Sequence, residues 1–247
     1  MAARRCCGGT ARRQGARLAA ALAALVLAAP LAHADLAKGK AAFDAANFTL
    51  AYKELIEDAQ GGNAEAEFMI GEIAAESPGP ARSYAMAAQW YRLAAAKDYQ
   101  PANLALGLLL LHGAGDSDDP SRVAADPAAA QRYLKAAADA GNAQAAALVG
   151  QLYMEGNGVP RDQAAALRYS VAAADHGIAA AQYNAGLLTL KGAGGAPDLI
   201  QAYKWFALAA RAAYPGAEQN RRYVMGQLSA AQLRRAEALV AAVQPTP

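Results

Sequence analysis

One glycine recurs at nearly fixed intervals along this chain of 247 residues, and the residues around it recur in the same register. The intervals of 36, 43 and 36 residues separate Gly71, Gly107, Gly150 and Gly186. An alanine stands five residues before each glycine, and an aromatic residue follows each one downstream, at Trp90, Tyr133, Tyr169 and Trp205. Several markers that keep one register predict an array of stacked structural repeats.

Each repeat has the pattern of two helices joined by a turn. In the third repeat, residues 143–154 have the small and apolar spacing of a helix. The segment Gly156–Pro160 interrupts it, because glycine permits positive φ and proline cannot continue a helical hydrogen-bond ladder. Asp162 is placed to cap a second helix over residues 164–175. The sequence therefore predicts an all-α fold, an α/α solenoid.

The residues that every repeat shares are predicted to be structural. A glycine inside a helix costs about 1 kcal/mol relative to alanine, so four equivalent glycines indicate a contact too close for a methyl group. The four periodic aromatic residues are expected in the core, where they contribute large buried areas between stacked units. We therefore assign structural roles to both sets.

The first 34 residues have the pattern of a cleavable export signal. Five arginines precede the apolar run Leu18–Leu27, which is too short to span a membrane with ease, and Ala32–Ala34 has the small-x-small pattern of a cleavage site. An ordinary N-terminal helix and an uncleaved anchor are the alternatives. Cleavage before Asp35 would remove Cys6 and Cys7 and change the net charge from +2 to −3. We expect a periplasmic protein without disulfides, without membrane insertion after cleavage, and with nothing that points to nucleic acid.

The remainder of the chain divides into caps and repeats. The spacing of Ser229 and Gln232 is that of a capping box, which predicts a last helix over about residues 230–243 before a frayed tail. The predicted divisions are an N-terminal degenerate capping repeat (35–63), four repeats (64–100, 101–142, 143–178 and 179–213, the second with a seven-residue insertion) and C-terminal capping helices with the tail (214–247).

The third repeat carries a recognisable pattern. From Ala145 it reads A-x-x-x-V-G-x-x-Y-x-x-G-x-G-V and continues through Asp162 and Tyr169 to Gly177. Over about residues 64–213 the chain resembles the Sel1-like repeat family, relatives of the tetratricopeptide repeats. The resemblance implies a right-handed superhelix whose concave face holds other proteins or peptides, and an adaptor role in assembly, signalling or envelope processes. One secreted branch of the family is linked to penicillin binding and hydrolysis, and it staples each repeat with a cysteine pair that the mature chain lacks.

Three functions remain open at this stage. The first is a protein-binding scaffold in the bacterial envelope, whose partner is a protein or peptide of unknown identity. The second is a penicillin-binding or cell-wall-active enzyme, and the third is a periplasmic chaperone or assembly factor. We predict no catalytic residue, cofactor or metal, because His112 and His176 are the only histidines after cleavage and no nucleophile–base pair follows from the spacing.

Positions that vary between repeats are the better candidates for partner binding. We expect them four residues before and three residues after the register glycine, with one further polar position. The predicted partner-binding residues on the concave face are Glu67, Asn103, Tyr153, Gln182, Asn184 and Thr189.

The insertion of the second repeat supplies a separate candidate, the acidic loop Asp116–Asp119. A calcium-binding loop requires glycine at its sixth position and glutamate at its twelfth, where this chain has Ser121 and Pro127. We therefore expect a solvated loop that can touch a partner.

Overall fold

Helical hairpins are the building unit of the computed structural model, which describes residues 32–243. Twelve α-helices follow one another in this part of the chain, and each packs against the next one except at the C-terminal end, where both α11 and α12 pack against α10. The predicted fold class is confirmed. The helices are α1 (Ala32–Asp44), α2 (Phe48–Gln60), α3 (Ala64–Glu76), α4 (Tyr84–Ala95), α5 (Gln100–His112), α6 (Pro127–Asp139), α7 (Ala143–Glu155), α8 (Gln163–Ala174), α9 (Ala179–Lys191), α10 (Leu199–Arg211), α11 (Ala217–Met225) and α12 (Ala230–Ala241).

Most helices begin at a polar residue whose side chain accepts a backbone hydrogen bond from the first turn. Each such cap contributes about 1 kcal/mol, because it satisfies an N–H group that has no partner inside the helix. At the other end of α7 and α9, Gly156 and Gly192 adopt the left-handed conformation that stops a helix. The caps within the four repeats are Asn63, Ser83, Asp126, Asn142, Asp162 and Asp198.

The register glycines lie where the two helices of a repeat touch. All four are buried, and a Cβ atom added to any of them would collide with the second helix of the same repeat. The residue that it would meet directly follows the register aromatic residue in every case. These residues are Tyr91, Leu134, Ser170 and Phe206.

The four register aromatic residues are not equally buried. Tyr169 and Trp205 are 5% and 4% exposed, whereas Trp90 and Tyr133 are only half-buried. The expectation that all four are core residues is therefore corrected for the latter two. Trp90 packs against the N-terminal core, and the guanidinium of Arg132 lies 5.4 Å from the centre of the Tyr133 ring. Part of each side chain therefore remains accessible to solvent.

Apolar burial is organised in two main clusters. The first is formed by α1, α2 and α3, with Leu55 and Ile70 at its centre. The second extends along the array to α12, which places Ala236 and Val240 against α10. At the start of α12, Ser229 and Gln232 form the capping box that their spacing predicts. Terminal helices thus cover both ends of the repeats.

Part of the predicted processing lies outside the described residues. The export signal falls there except for its last three residues, as does the tail beyond residue 243. Within residues 32–243, no helix combines the length and apolar character that crossing a bilayer requires.

Candidate functional site

The inner side of the array is formed by the first helices of the repeats, α3, α5, α7 and α9. Contacts between non-consecutive helices join α1 to α3, α7 to α9 and α10 to α12. The first two pairs consist of first helices, whereas the third is the packing of the C-terminal cap on the last repeat, so among the repeats themselves the side of the first helices is the more crowded one. On a curved stack of helices the crowded side is the concave side. We call the solvent-facing surface of α3, α5, α7 and α9 the inner face.

Three of the six predicted partner-binding residues are buried, which corrects their assignment to this surface. Glu67, Asn103 and Gln182 are 3%, 3% and 6% exposed. Successive residues of a helix are about 100° apart, and the predicted row points toward the neighbouring helices instead of toward solvent. These three residues therefore serve the packing between helices.

The hydrogen bonds of these buried side chains support that role. One carboxylate oxygen of Glu67 pairs with Nζ of Lys97, while the other is buried and has no hydrogen-bond partner among residues 32–243. Nε2 of Gln182 donates to the carbonyl oxygen of Ala174 at 3.3 Å, which joins α9 to the end of α8. Nδ2 of Asn103 donates to Oε1 of Gln100 at 3.4 Å. A partner protein would not reach these atoms without separating helices.

The other three predicted residues are half-buried and lie in different environments. The Tyr153 ring stacks on Tyr169 with 6.1 Å between ring centres, and its hydroxyl accepts a hydrogen bond from Gln131 at 3.1 Å. Thr189 lines a cavity beside α8, away from the inner face. Asn184 follows Tyr183 on α9. The structure does not bring the six residues together into one site.

Two of the three accessible rows of the inner face lie one residue away from the predicted rows. They occupy the positions three before, one after and four after the register glycine, and they are half-buried except for the exposed Gln151. The three rows are Phe68, Leu104, Ala147 and Tyr183; Glu72, Leu108, Gln151 and Leu187; and Ala75, Leu111, Met154 and Leu190.

Variation between repeats does not distinguish these rows from the predicted one, because the buried row at position −4 varies as well. Position −4 lies 40° to one side of the glycine around the helix, and position −3 lies 60° to the other side. The glycine marks the contact between helices but does not say which side faces solvent. The large apolar residues at positions −3, +1 and +4 were the available clue, because exposed apolar side chains often mark a binding surface.

The inner face is apolar at its centre and acidic toward the N-terminus. Leu104, Leu108 and Leu111 are half-buried along α5. The helix carries more leucines than its contacts with neighbouring helices can bury, so part of these side chains stays accessible. On α3, burial raises the pKa of the Glu72 carboxyl, although the hydrogen bond that it accepts from the Tyr91 hydroxyl acts in the opposite direction. The arrangement suits an apolar ligand segment held by a few polar contacts.

The acidic loop of the second repeat is ordered by its own contacts. Oδ1 of Asp119 accepts hydrogen bonds from the backbone N–H and the hydroxyl of Ser121 at 2.7 and 2.8 Å. Asp116 and Asp118 are exposed. Throughout the described part of the chain, no three His, Cys, Asp or Glu side chains are grouped as metal ligands.

Comparison with known proteins identifies the repeat. The profile described as "Sel1 repeat" matches residues 64–99, 100–142, 143–178 and 179–214, more than half of the chain. The search of the curated proteins found no match.

Three solved structures are similar to this chain, and the first of them supports the fold. A Sel1 repeat protein from Oxalobacter formigenes is 23% identical, with 85% of this chain and 86% of that chain covered and a TM-score of 0.63. A protective antigen of uropathogenic Escherichia coli that displays an SLR fold is 24% identical, with 78% of this chain covered and a TM-score of 0.46. This chain spans 48% of that antigen. A sel1 repeat protein from Klebsiella pneumoniae subsp. pneumoniae is 18% identical, with 78% and 93% covered and a TM-score of 0.44.

Proteins built from these repeats are typically protein-interaction scaffolds and generally not enzymes. Four matched repeats, each a helical hairpin with its glycine at the contact between the two helices, give one conclusion. The chain belongs to the Sel1 repeat family.

Proposed function

We propose that this protein is an exported scaffold whose inner face binds a segment of a partner protein in the bacterial envelope. The observation that carries the proposal is the set of half-buried side chains that cross α5, α7 and α9 and differ from repeat to repeat. These side chains combine two properties that a partner-binding surface needs. They are accessible to solvent, unlike the equally variable buried row of Glu67, Asn103 and Gln182, and their chemistry changes from one repeat to the next.

The chemistry of the inner face favours an amphipathic partner segment. Leu108 and Leu187 offer apolar contact, while the exposed Gln144 and Gln151 on α7 between them offer donors and acceptors. Apolar contact at the centre with hydrogen bonds beside it is the usual anatomy of a protein interface. Because the helices already pack into an array, little ordering of the receptor would oppose binding.

Export is part of the proposal and is supported by the N-terminal sequence pattern. The basic start, the short apolar run and the small residues before Asp35 together favour cleavage and release into the periplasm. Intact-mass measurement of the protein recovered from a periplasmic fraction should correspond to a chain that begins at Asp35. Recovery of the uncleaved chain from the cytoplasm would contradict this part of the proposal.

The partner-binding face can be tested by site-specific crosslinking in cells. A photoreactive amino acid would replace Leu108 or Gln151 on the inner face, and Ala172, exposed on α8, as the control. We expect one or two proteins to be captured from the inner positions and not from the control. Leu108→Arg in the Gln151 photoreactive variant should abolish that capture by placing a charge on the apolar centre.

Two outcomes would contradict the scaffold proposal. Equal capture from Ala172 would mean that the inner face is not the binding surface. Capture of many unrelated proteins would favour a general chaperone, because a dedicated scaffold discriminates between partners.

A further inference from the structure

A second groove lies outside the inner face, between α4 and the loop that the second repeat inserts. Its volume is about 730 Å³, within the roughly 300–1,000 Å³ of typical ligand-binding clefts. One wall is the α4 surface around Ala85, Ala88 and Arg92, and the other is formed by residues 122–128. The groove therefore lies between the first and second repeats, and Asn157 and Gly158 of the third repeat complete its lining.

The wall formed by the loop is held in place from both sides. Ala114 and Val123 exchange two backbone hydrogen bonds of 2.9 Å each, as an antiparallel pair does. The backbone N–H of Ala85, in the first turn of α4, donates to the carbonyl oxygen of Ser121 at 2.9 Å. The segment after Ser121 thus runs along α4 at a fixed separation.

This segment presents an open strand edge to the groove. Because Val123 turns its N–H and C=O groups toward Ala114, those of Ala124 point to the opposite edge. Ala124 is exposed, and its backbone groups have no backbone partner within residues 32–243. An unpaired strand edge can accept an extended peptide as an additional strand.

The charges of the groove define the side chains that such a peptide should carry. Arg92 on α4 and Arg122 on the loop both line the groove and are exposed. Neither guanidinium forms an ion pair with a carboxylate of the described residues. Asp126 also lines the groove, but one of its carboxylate oxygens caps α6 by accepting from the Ala129 N–H at 2.9 Å. Two unpaired guanidinium groups favour a carboxylate ligand, which each can bind with two parallel hydrogen bonds.

We propose that this groove binds an extended peptide segment of a partner protein, with its backbone paired to Ala124 and its acidic side chains paired to Arg92 and Arg122. Alanine side chains on both walls leave room for a backbone to approach closely. Backbone pairing would give affinity, and the two arginines would give selectivity for acidic sequences. This proposal rests on the proposed scaffold function in one respect, that the ligand is a segment of a protein.

The test uses the purified protein and labelled peptides whose binding is followed by fluorescence anisotropy. The probe is a hexapeptide of alternating Glu and Val, and its control is the same peptide with Lys in place of Glu. The variants are Arg92→Glu with Arg122→Glu, and Ala124→Pro, which removes the backbone N–H of the open edge at an exposed position. Arg234→Glu with Arg235→Glu, both exposed on α12, is the control with the same change of charge.

We expect saturable binding of the Glu-Val peptide and none of the Lys-Val peptide. The double arginine variant and Ala124→Pro should each weaken binding at least about tenfold, while the α12 control changes it less than about twofold. Absence of saturable binding, or an equal loss in the α12 control, would overturn the proposal. Full affinity in Ala124→Pro would overturn the strand pairing. Leu108→Arg changes the inner face and not the lining of this groove, so it should leave the affinity for the Glu-Val peptide unchanged. The two proposals can therefore fail independently of each other.

Discussion

At the register glycines, the spacing between the two helices of a repeat is set by the absence of a single methyl group. In three repeats the added Cβ would meet a large side chain, which can move. In the third repeat it would lie 2.8 Å from Oγ of Ser170, 3.1 Å from the Ser170 backbone nitrogen and 3.3 Å from the Ala166 carbonyl oxygen. The backbones of α7 and α8 therefore approach closely at Gly150, and rotation of the Ser170 hydroxyl alone would not relieve the contact.

This contact predicts that Gly150→Ala destabilises the protein. Overpacking costs about 1–3 kcal/mol, of which the better helix propensity of alanine returns about 1 kcal/mol or less. Gly226→Ala is the matched control, because Gly226 has helical φ and its Cβ would find nothing closer than 3.6 Å. Urea denaturation should show a lower free energy of unfolding for Gly150→Ala only. Equal midpoints for the two variants would show that α7 and α8 separate easily.

Glu72 predicts a dependence of stability on pH. Burial raises the pKa of its carboxyl above the ordinary value near 4.5. A carboxyl whose pKa is raised by folding stabilises the protein fully below its unfolded pKa, and this contribution is lost as the pH rises through the folded pKa. Glu72→Gln keeps an oxygen that can accept from the Tyr91 hydroxyl but removes the titration.

The free energy of unfolding of Glu72→Gln, relative to wild type, should therefore increase as the pH rises above the ordinary carboxyl pKa near 4.5. Urea denaturation at several pH values measures it. Glu237→Gln, at an exposed position on α12, serves as the control and should follow the wild-type curve. A constant difference between Glu72→Gln and wild type would contradict the prediction.

At the scale of the helix, the sequence predicts features that adjacent residues determine, such as helix bounds and caps, better than features that depend on distant contacts. The bounds of α7 and α8 agree with the predicted ones within one residue, and Oδ1 of Asp162 accepts from the Ala165 N–H at 2.9 Å. Caps and turns are decided by adjacent residues. The orientation of Glu67 is not, because it depends on which side of α3 meets its neighbours. The fold was therefore predictable, whereas half of the predicted binding residues proved to be buried.

The last helix predicts a local effect of losing a cap. Oγ of Ser229 accepts from the Gln232 N–H at 3.3 Å, and Oε1 of Gln232 accepts from the Ser229 N–H at 2.9 Å. Ser229→Ala removes the first bond and should cost about 1 kcal/mol. Hydrogen exchange in the first turns of α12 should accelerate about fivefold, with little change elsewhere. Ser117→Ala, in an exposed loop, is the control. Unchanged exchange in α12 would mean that packing on α10 alone fixes its start.

At the scale of the whole molecule, each repeat packs mainly against its neighbours, and the two ends of the array differ in the core to which they belong. The C-terminal helices share the long central core, whereas α1 and α2 have a core of their own. Phe68 packs against both clusters and is the clearest link between them. In a linear array, stability is the sum of the units and their interfaces, so a weak interface allows one end to open first.

This division into two cores predicts that the same Leu→Ala change destabilises a different length of the chain in each core. Leu55 and Leu134 are both fully buried, the first in the N-terminal core and the second in the central core. Each Leu→Ala change should cost about 2–5 kcal/mol locally. Hydrogen exchange followed by mass spectrometry should show that Leu55→Ala lowers protection within residues 32–76 only. Leu134→Ala should lower it on both sides of α6, because the central core is continuous there. A uniform loss of protection in both variants would mean that the chain unfolds as one cooperative unit in spite of its two cores.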